Sequence, residues 1–201
     1  MLGKTHAAIG TATALLLLQP QSVAELGLAM VAGAIGSEIA DIDSSTSNSH
    51  KKVNLICLWT VFIVALAAAC DIYWKVGIFK YVSSNSNYLL FCTGLFAFIG
   101  ICMYGKSTKH RTFMHSLLGL VTTSFAVTIA CPKGTPYFMI AYLTHILLDL
   151  LNKKKVQIFY PLKKGICLNL CRSDGKTNDI LGYIGIILIW VEVYLFVKKV
   201  I

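Results

Sequence analysis

Charged residues are scarce in this sequence: Asp, Glu, Lys and Arg together make up 13% of its 201 residues. A soluble domain usually carries about 25% charged residues, so the composition excludes an ordinary soluble domain. No linker, low-complexity segment or internal repeat divides the chain, and we expect a single domain over residues 1–201. The apolar share of 56% and the mean hydropathy of +0.70 are typical of an integral membrane protein.

Acidic residues are the rarer charged class, with 9 Asp and Glu against 18 Lys and Arg, and the net charge is +9. Such a balance is found in many nucleic-acid-binding proteins. Here the basic residues are concentrated in short loops between apolar segments, which is the pattern that membrane topology produces. We therefore expect a membrane lipid environment and no nucleic-acid partner.

Two common zinc motifs are absent. No His-Glu-x-x-His occurs, which argues against a membrane zinc protease of that type. The seven cysteines are odd in number and give no disulfide framework. Cys167 and Cys171 lie four apart in a basic loop without an accompanying CxxC pair, so reduced structural thiols are the favoured interpretation and a zinc site is the alternative.

Apolar segments account for most of the chain and predict an all-α, polytopic membrane bundle of about seven helices. These segments are 6–19, 22–40, 53–72, 88–104, 113–131, 136–152 and 180–197. The first segment is short, follows a basic start and precedes Ser22-Val23-Ala24, so a signal peptide is an alternative interpretation of it.

The basic residues divide unevenly between the two ends of these helices. If the chain crosses the membrane at each segment, Lys75, Lys80, Lys133, Lys198 and Lys199 lie on one side, and the remaining 13 of the 18 basic residues lie on the other. The richer side is expected to face the cytoplasm. The N-terminus would then be inside and the C-terminus outside.

The segment 136–152 carries one imidazole and one carboxylate, His145 and Asp149. Their i, i+4 spacing places both on the same face of a helix, about one turn apart. Imidazole and carboxylate are ligands that zinc prefers, and leaving either unpaired in apolar surroundings would be costly. The alternative is a hydrogen-bonded pair between helices that holds no metal.

Further titratable residues fall at the same, cytoplasmic ends of their helices. They are His6, Asp41, Asp43, His110, His115 and Asp179. Together with His145 and Asp149 they could meet in one layer and hold one metal ion or more, with zinc the expected metal. Arg111 lies between His110 and His115 and could clamp a phosphate.

Each of these residues also has an ordinary interpretation. His6 could be an interfacial residue, Asp41 and Asp43 could end a helix in water, and His110 could be a solvated loop residue. His115 could be a packed polar residue. Arg111 could serve only as one of the positive charges that set the membrane topology. Asp179 could be a first-turn acid favoured by the helix dipole. Their shared side of the membrane favours the joint site.

The residues resemble the YdjM-like family of bacterial inner-membrane proteins, which are predicted to be LexA-regulated, membrane-bound metal-dependent hydrolases. The resemblance covers nearly the whole chain. It rests on Lys4-Thr5-His6 with Gly10, Asp41-Ile42-Asp43, His110-Arg111 with His115-Ser116, Thr144-His145 with Asp149 and Asn152, and Tyr160-Pro161-Leu162. The family usually has proline and histidine around its first acidic motif and glutamate at the start of the last helix, where Ala40, Ser44 and Asp179 stand here.

The family is also distantly similar to zinc-dependent phospholipase C, and this resemblance implies hydrolysis of a phosphoester, with a lipid or a small molecule as substrate. It implies one to three zinc ions held by His6, Asp41, Asp43, His110, His115, His145 and Asp149, with Asp179 as a possible addition. Asp43, His115 and Arg111 are the candidate catalytic residues, with Arg111 holding phosphate. The choice of general base stays open.

Two other functions are consistent with the same residues. A transporter or ion-handling protein could use the His/Asp cluster as its pathway, although the polar groups lie at helix ends and no inverted repeat is visible. A non-catalytic scaffold could hold a structural metal. Metal content and transport assays would distinguish these possibilities.

Overall fold

The computed structural model describes residues 2–44, 85–170 and 175–200 continuously, and a few positions between 47 and 77. Most of the predicted 53–72 helix lies outside the described residues, as do Cys57 and Cys171. The described part contains six α-helices: α1 Gly3–Leu18, α2 Val23–Ile39, α3 Ser86–Ser107, α4 Leu117–Ala130, α5 Thr135–Leu150 and α6 Lys176–Val200. Two 3-10 helices, η1 Ala40–Asp43 and η2 Phe113–His115, lie among them. The all-α prediction is confirmed.

Local sequence signals explain where several helices begin. The Ser22 hydroxyl accepts a hydrogen bond from the backbone N–H of Glu25, and the Glu25 carboxylate accepts from the N–H of Gln21. Ser116 caps α4 by accepting from the N–H of Gly119 at 3.1 Å. Residues 113–115 therefore form a separate turn, whereas the sequence predicted one helix over 113–131. This correction places His115 outside the helix.

Close backbone packing brings the helices together around α1, which contacts α2, α5 and α6. α2 also packs along α5, and α3 packs along α4. At Gly36 an added Cβ atom would lie 2.4 Å from the carbonyl oxygen of Phe138. Small residues permit such approaches between helices in lipid. The α2–α5 contact fixes the ends of these two helices beside each other.

Within the part of the chain that the structure describes, three helical stretches are long and apolar enough to cross a membrane: Val23–Asp43, Ser86–Ser107 and Lys176–Lys199. α4 is apolar but shorter. α1 and α5 have 16 residues each and are therefore about 24 Å long, compared with a hydrocarbon core of about 30 Å. The number of crossings and the cytoplasmic N-terminus stay predictions.

Candidate metal centre

Four parts of the chain bring titratable side chains to one end of the bundle. His6 comes from the first turns of α1, and the aspartates of η1 follow α2. η2 and the turn before it supply His110, Arg111 and His115, while α5 supplies His145 and Asp149 from its last turns. η1 and η2 pack against each other. The predicted residues therefore come together, except Asp179.

The first group of possible metal ligands is fully buried and consists of His6, His145 and Asp149. The His6 and His145 rings stack with their centroids 3.8 Å apart. His6 Nε2 lies 3.3 Å from Asp149 Oδ1. One ligand atom from each of the three residues falls within 4.8 Å of the others, so the group could hold a metal ion.

The second group consists of Asp41, His110 and His115 and is more open to solvent. His115 is buried, whereas the side chains of Asp41 and His110 are 19% and 38% exposed. His115 Nε2 lies 3.7 Å from Asp41 Oδ1 and 3.4 Å from Asp149 Oδ2. Because Asp149 approaches both groups, the two form one continuous cluster.

Several imidazole nitrogens of the cluster are buried without a hydrogen-bond partner in the described part of the chain. They are His6 Nδ1 and Nε2, His115 Nε2 and His145 Nε2. Such atoms are costly unless something binds them. The nitrogen–oxygen distances in the cluster are 3.3 to 3.7 Å, which is long for hydrogen bonds. They are close to the distance between two ligand atoms of a tetrahedral zinc site, which is about 3.3 Å when the zinc–ligand bonds are about 2.05 Å. The residues present fit a divalent metal ion.

A backbone contact sets the tautomer of His145. Its Nδ1 atom faces the carbonyl oxygen of Ser37, which can only accept a hydrogen bond, so Nδ1 carries the proton. The lone pair is then on Nε2, which points to Asp41 Oδ1 at 3.7 Å. An outer hydrogen bond of this kind typically orients a metal-binding histidine.

Asp43 lies behind the imidazoles of the second group. Its Oδ1 atom is 2.7 Å from His110 Nδ1, and its Oδ2 atom is 3.2 Å from His115 Nδ1. Oδ2 also accepts the backbone N–H of Arg111 at 2.9 Å. These contacts leave the Nε2 atoms of both histidines for the cluster. Asp43 is in neither group of possible ligands found among the described residues.

Arg111 is held on several sides. Its backbone is left-handed, with φ of 66°, a conformation that costs a non-glycine residue about 1 kcal/mol. One guanidinium nitrogen lies 2.8 Å from Asp149 Oδ2, and another donates to the carbonyl of Lys154 at 2.8 Å. The Nε atom is buried without a hydrogen-bond partner among the described residues. Arg111 thus contacts a candidate ligand, Asp149, while its Nε–H group has no acceptor among the described residues.

The carboxylates make this end of the bundle attractive to cations. Burial alone would lower the pKa of His115, but the nearby carboxylates of Asp149, Asp41 and Asp43 outweigh it and raise the pKa well above its usual value. A cluster that favours a proton on a buried imidazole also favours a metal ion in its place.

Asp179 is in neither group of possible ligands among the described residues, and it is exposed in the first turn of α6. Its Oδ1 atom accepts from the side chain of Asn178 at 3.3 Å. The neighbouring residue Asn178 is buried, and its side-chain oxygen Oδ1 accepts a hydrogen bond from the N–H of Leu2. This bond connects α6 to the start of α1. The first turn of α6 therefore supports α1.

The sequence analysis gave no role to three supporting residues, although Asn152 is among those that carry the family resemblance. Asn152 donates to Asp149 Oδ1 at 3.3 Å, and its i+3 spacing from Asp149 was a visible signal. Asn178 had no distinguishing signal beyond its place at a helix start. The Ser37 carbonyl is a backbone group, so no sequence pattern could have shown its contact with His145.

These observations define an all-helical protein with apolar helices long enough to span a membrane and a His/Asp cluster that could bind a metal. The chain belongs to the YdjM inner membrane protein family, whose family model matches residues 1–200. The resemblance found in the sequence is thereby confirmed. Comparisons with curated proteins and with solved structures gave no match.

Proposed function

We propose that this protein is an inner-membrane, metal-dependent hydrolase of a phosphoester, with its site on the cytoplasmic side. The observation that carries the proposal is the convergence of buried, unpartnered imidazole nitrogens on Asp41 and Asp149. A structural polar network would be expected to satisfy those nitrogens internally. A membrane lipid is the first phosphoester to test, because it can reach the site from the bilayer.

Two sets of residues would hold the metal. His6, His145 and Asp149 form the buried set, and Asp41, His110 and His115 form the set open to solvent. Zinc is the expected ion, since its preferred ligands are these side chains. A bound ion of this kind lowers the pKa of water and neutralises charge on a phosphoryl oxygen.

The surrounding residues would orient the ligands and bind the phosphate. Asp43 fixes the rings of His110 and His115 through their Nδ1 atoms. Because His115 Nδ1 would donate to Asp43 Oδ2, 3.2 Å away, the lone pair of His115 Nε2 would be available to a metal ion. The Nε–H of Arg111 would contact the phosphate while its terminal nitrogen holds Asp149.

The test is the metal content of the detergent-purified protein, measured by inductively coupled plasma mass spectrometry. We expect at least one zinc ion per chain in the wild type and loss of metal in the His145→Ala/Asp149→Ala double variant. Glu192→Gln is the matched control, because Glu192 lines a groove with Gln19 and Pro20 at the other end of α1. It should keep the metal.

Zinc-loaded protein should then hydrolyse chromogenic phosphate monoesters or diesters, or fluorescent phospholipids, and the double variant should not. A double variant that retains stoichiometric metal would overturn the ligand assignment. A wild type that stays metal-free after zinc or manganese is added would favour a polar pathway, which uptake into proteoliposomes would reveal. Metal without hydrolysis of any of these substrates would favour the structural scaffold.

A further inference from the structure

The segment that follows α5, residues 153–170, forms a basic loop with exposed apolar side chains. It contains five lysines, namely Lys153, Lys154, Lys155, Lys163 and Lys164, and no acidic residue. All five are exposed. Phe159 and Leu162 at its tip are 54% and 65% exposed, and Leu168 and Leu170 on its returning arm are exposed too. Exposed apolar groups beside cations are typical of a surface that meets lipid.

Backbone hydrogen bonds hold this loop in a defined shape. The N–H of Val156 donates to the carbonyl of Ile166 at 2.8 Å, and the N–H of Ile166 donates to the carbonyl of Val156 at 2.9 Å. The residues between this pair form the tip of the loop. On the returning arm, the N–H groups of Leu168 and Leu170 donate to the carbonyls of Leu150 and Leu151. Because the backbone is ordered by these bonds, exposure of Phe159 and Leu162 is a property of the fold.

The tip lies level with the end of a candidate membrane span. The hydroxyl of Tyr160 is 3.1 Å from that of Tyr104, which is in the last turn of α3. The carbonyl of Ile158 accepts from the N–H of Leu117 at the start of α4. Tyrosines at the end of a span are typical of the membrane–water boundary. The exposed groups of the tip therefore lie beside the end of a helix that is long and apolar enough to cross a membrane.

We infer that the 153–170 loop binds the anionic phospholipid headgroups of the surrounding bilayer. Lys163 and Lys164 contribute the charge contacts, and Phe159 and Leu162 insert between the lipids. Basic clusters directly outside a membrane helix attract anionic lipid in this way. The inference does not depend on hydrolysis.

The same loop contacts the candidate metal centre. The carbonyl of Lys154 accepts from the Arg111 guanidinium, and the N–H of Gln157 donates to the Arg111 carbonyl at 3.0 Å. Lipid bound at the loop would therefore stabilise the position of Arg111 beside Asp149.

The test is hydrogen–deuterium exchange of the full-length protein in nanodiscs. One set of discs contains phosphatidylcholine alone, and the other contains phosphatidylcholine with phosphatidylglycerol. We expect amides of residues 157–166 to exchange about tenfold more slowly in the anionic discs. Because the attraction is electrostatic, the difference should shrink at high salt.

Charge variants separate a specific contact from a general effect of net charge. Lys163→Gln/Lys164→Gln should lose the difference between the two lipids, while Lys198→Gln/Lys199→Gln, which removes the same charge from the end of α6, should keep it. Equal exchange in both lipids for the wild type would overturn the inference, as would a difference that survives in Lys163→Gln/Lys164→Gln. Metal content of that variant, expected to be unchanged, reports separately on the proposed function.

Discussion

At the residue scale, Asp149 is the carboxylate on which several parts of the chain converge. Its Oδ1 atom lies 3.3 Å from His6 Nε2, and its Oδ2 atom lies 2.8 Å from the Arg111 guanidinium and 3.4 Å from His115 Nε2. Asn152 donates to Oδ1 as well. A buried carboxylate with such neighbours is stabilised as an anion. It can therefore bind metal through one oxygen while Arg111 contacts the other.

Asp43 offers the sharpest single-residue test, because its predicted role as a ligand and its observed contacts suggest different outcomes. If Asp43 acts through the Nδ1 atoms of His110 and His115, Asp43→Asn should keep the metal stoichiometry and weaken metal affinity by about 10- to 100-fold. Competition with a zinc-binding dye would measure the affinity.

Loss of a whole metal equivalent in Asp43→Asn would instead support Asp43 as a direct ligand. Asp179→Asn is the control at this scale. Its side chain is exposed and contacts Asn178, so we expect neither stoichiometry nor affinity to change.

At the element scale, the contact between α2 and α5 connects helix packing to the candidate metal centre. Gly36 packs on the backbone of Phe138, and the next residue, Ser37, orients His145 through its carbonyl. The spacing of these two helices therefore sets the position of the His145 ring.

We predict that Gly36→Ala destabilises the protein by about 1–3 kcal/mol and weakens metal binding, because the new Cβ atom would collide with the Phe138 carbonyl. Thermal unfolding in detergent and metal affinity would measure the two effects. Gly27→Ala in the same helix is the matched control. Among the described residues, no atom beyond its chain neighbours and the backbone of its own helix lies within 4 Å of its added Cβ, so it should be neutral or slightly stabilising. Equal stability of both variants would contradict this account of the α2–α5 contact.

At the scale of the whole molecule, the cluster joins parts of the chain that are far apart in sequence. α1 supplies His6, η1 supplies Asp41, η2 supplies His115 and α5 supplies Asp149. A metal bound there would link these elements in the folded state only. Binding to the folded state alone raises stability by mass action.

We therefore predict that zinc raises the melting temperature of the detergent-solubilised protein. At a free zinc concentration of 100 times Kd the stabilisation would be about 2.7 kcal/mol. A chelator should reverse the shift. The His145→Ala/Asp149→Ala double variant should melt at the same temperature with and without zinc, and an equal shift in this variant would place the bound zinc elsewhere.

The sequence by itself determined the class of this protein and most of the residues that meet in its cluster, although it also offered Asp179. Scarce charge and long apolar segments leave helices as the structure that satisfies the backbone in lipid, and the alternation of segments placed the histidines and aspartates at one end. The i, i+4 spacing of His145 and Asp149 was enough to predict that the two side chains lie on one face of α5, because helical geometry fixes which side chains share a face.

Only the tertiary structure decided which carboxylate faces which imidazole nitrogen within the cluster. Asp41 and Asp43 are two residues apart, yet Asp41 faces Nε2 of His115 and His145 while Asp43 faces Nδ1 of His110 and His115. The pairing of Arg111 with Asp149 and the exposure of Asp179 likewise depend on how η2 and α6 pack. Sequence gives the spacing along one element, but the distance between atoms on different elements depends on the fold.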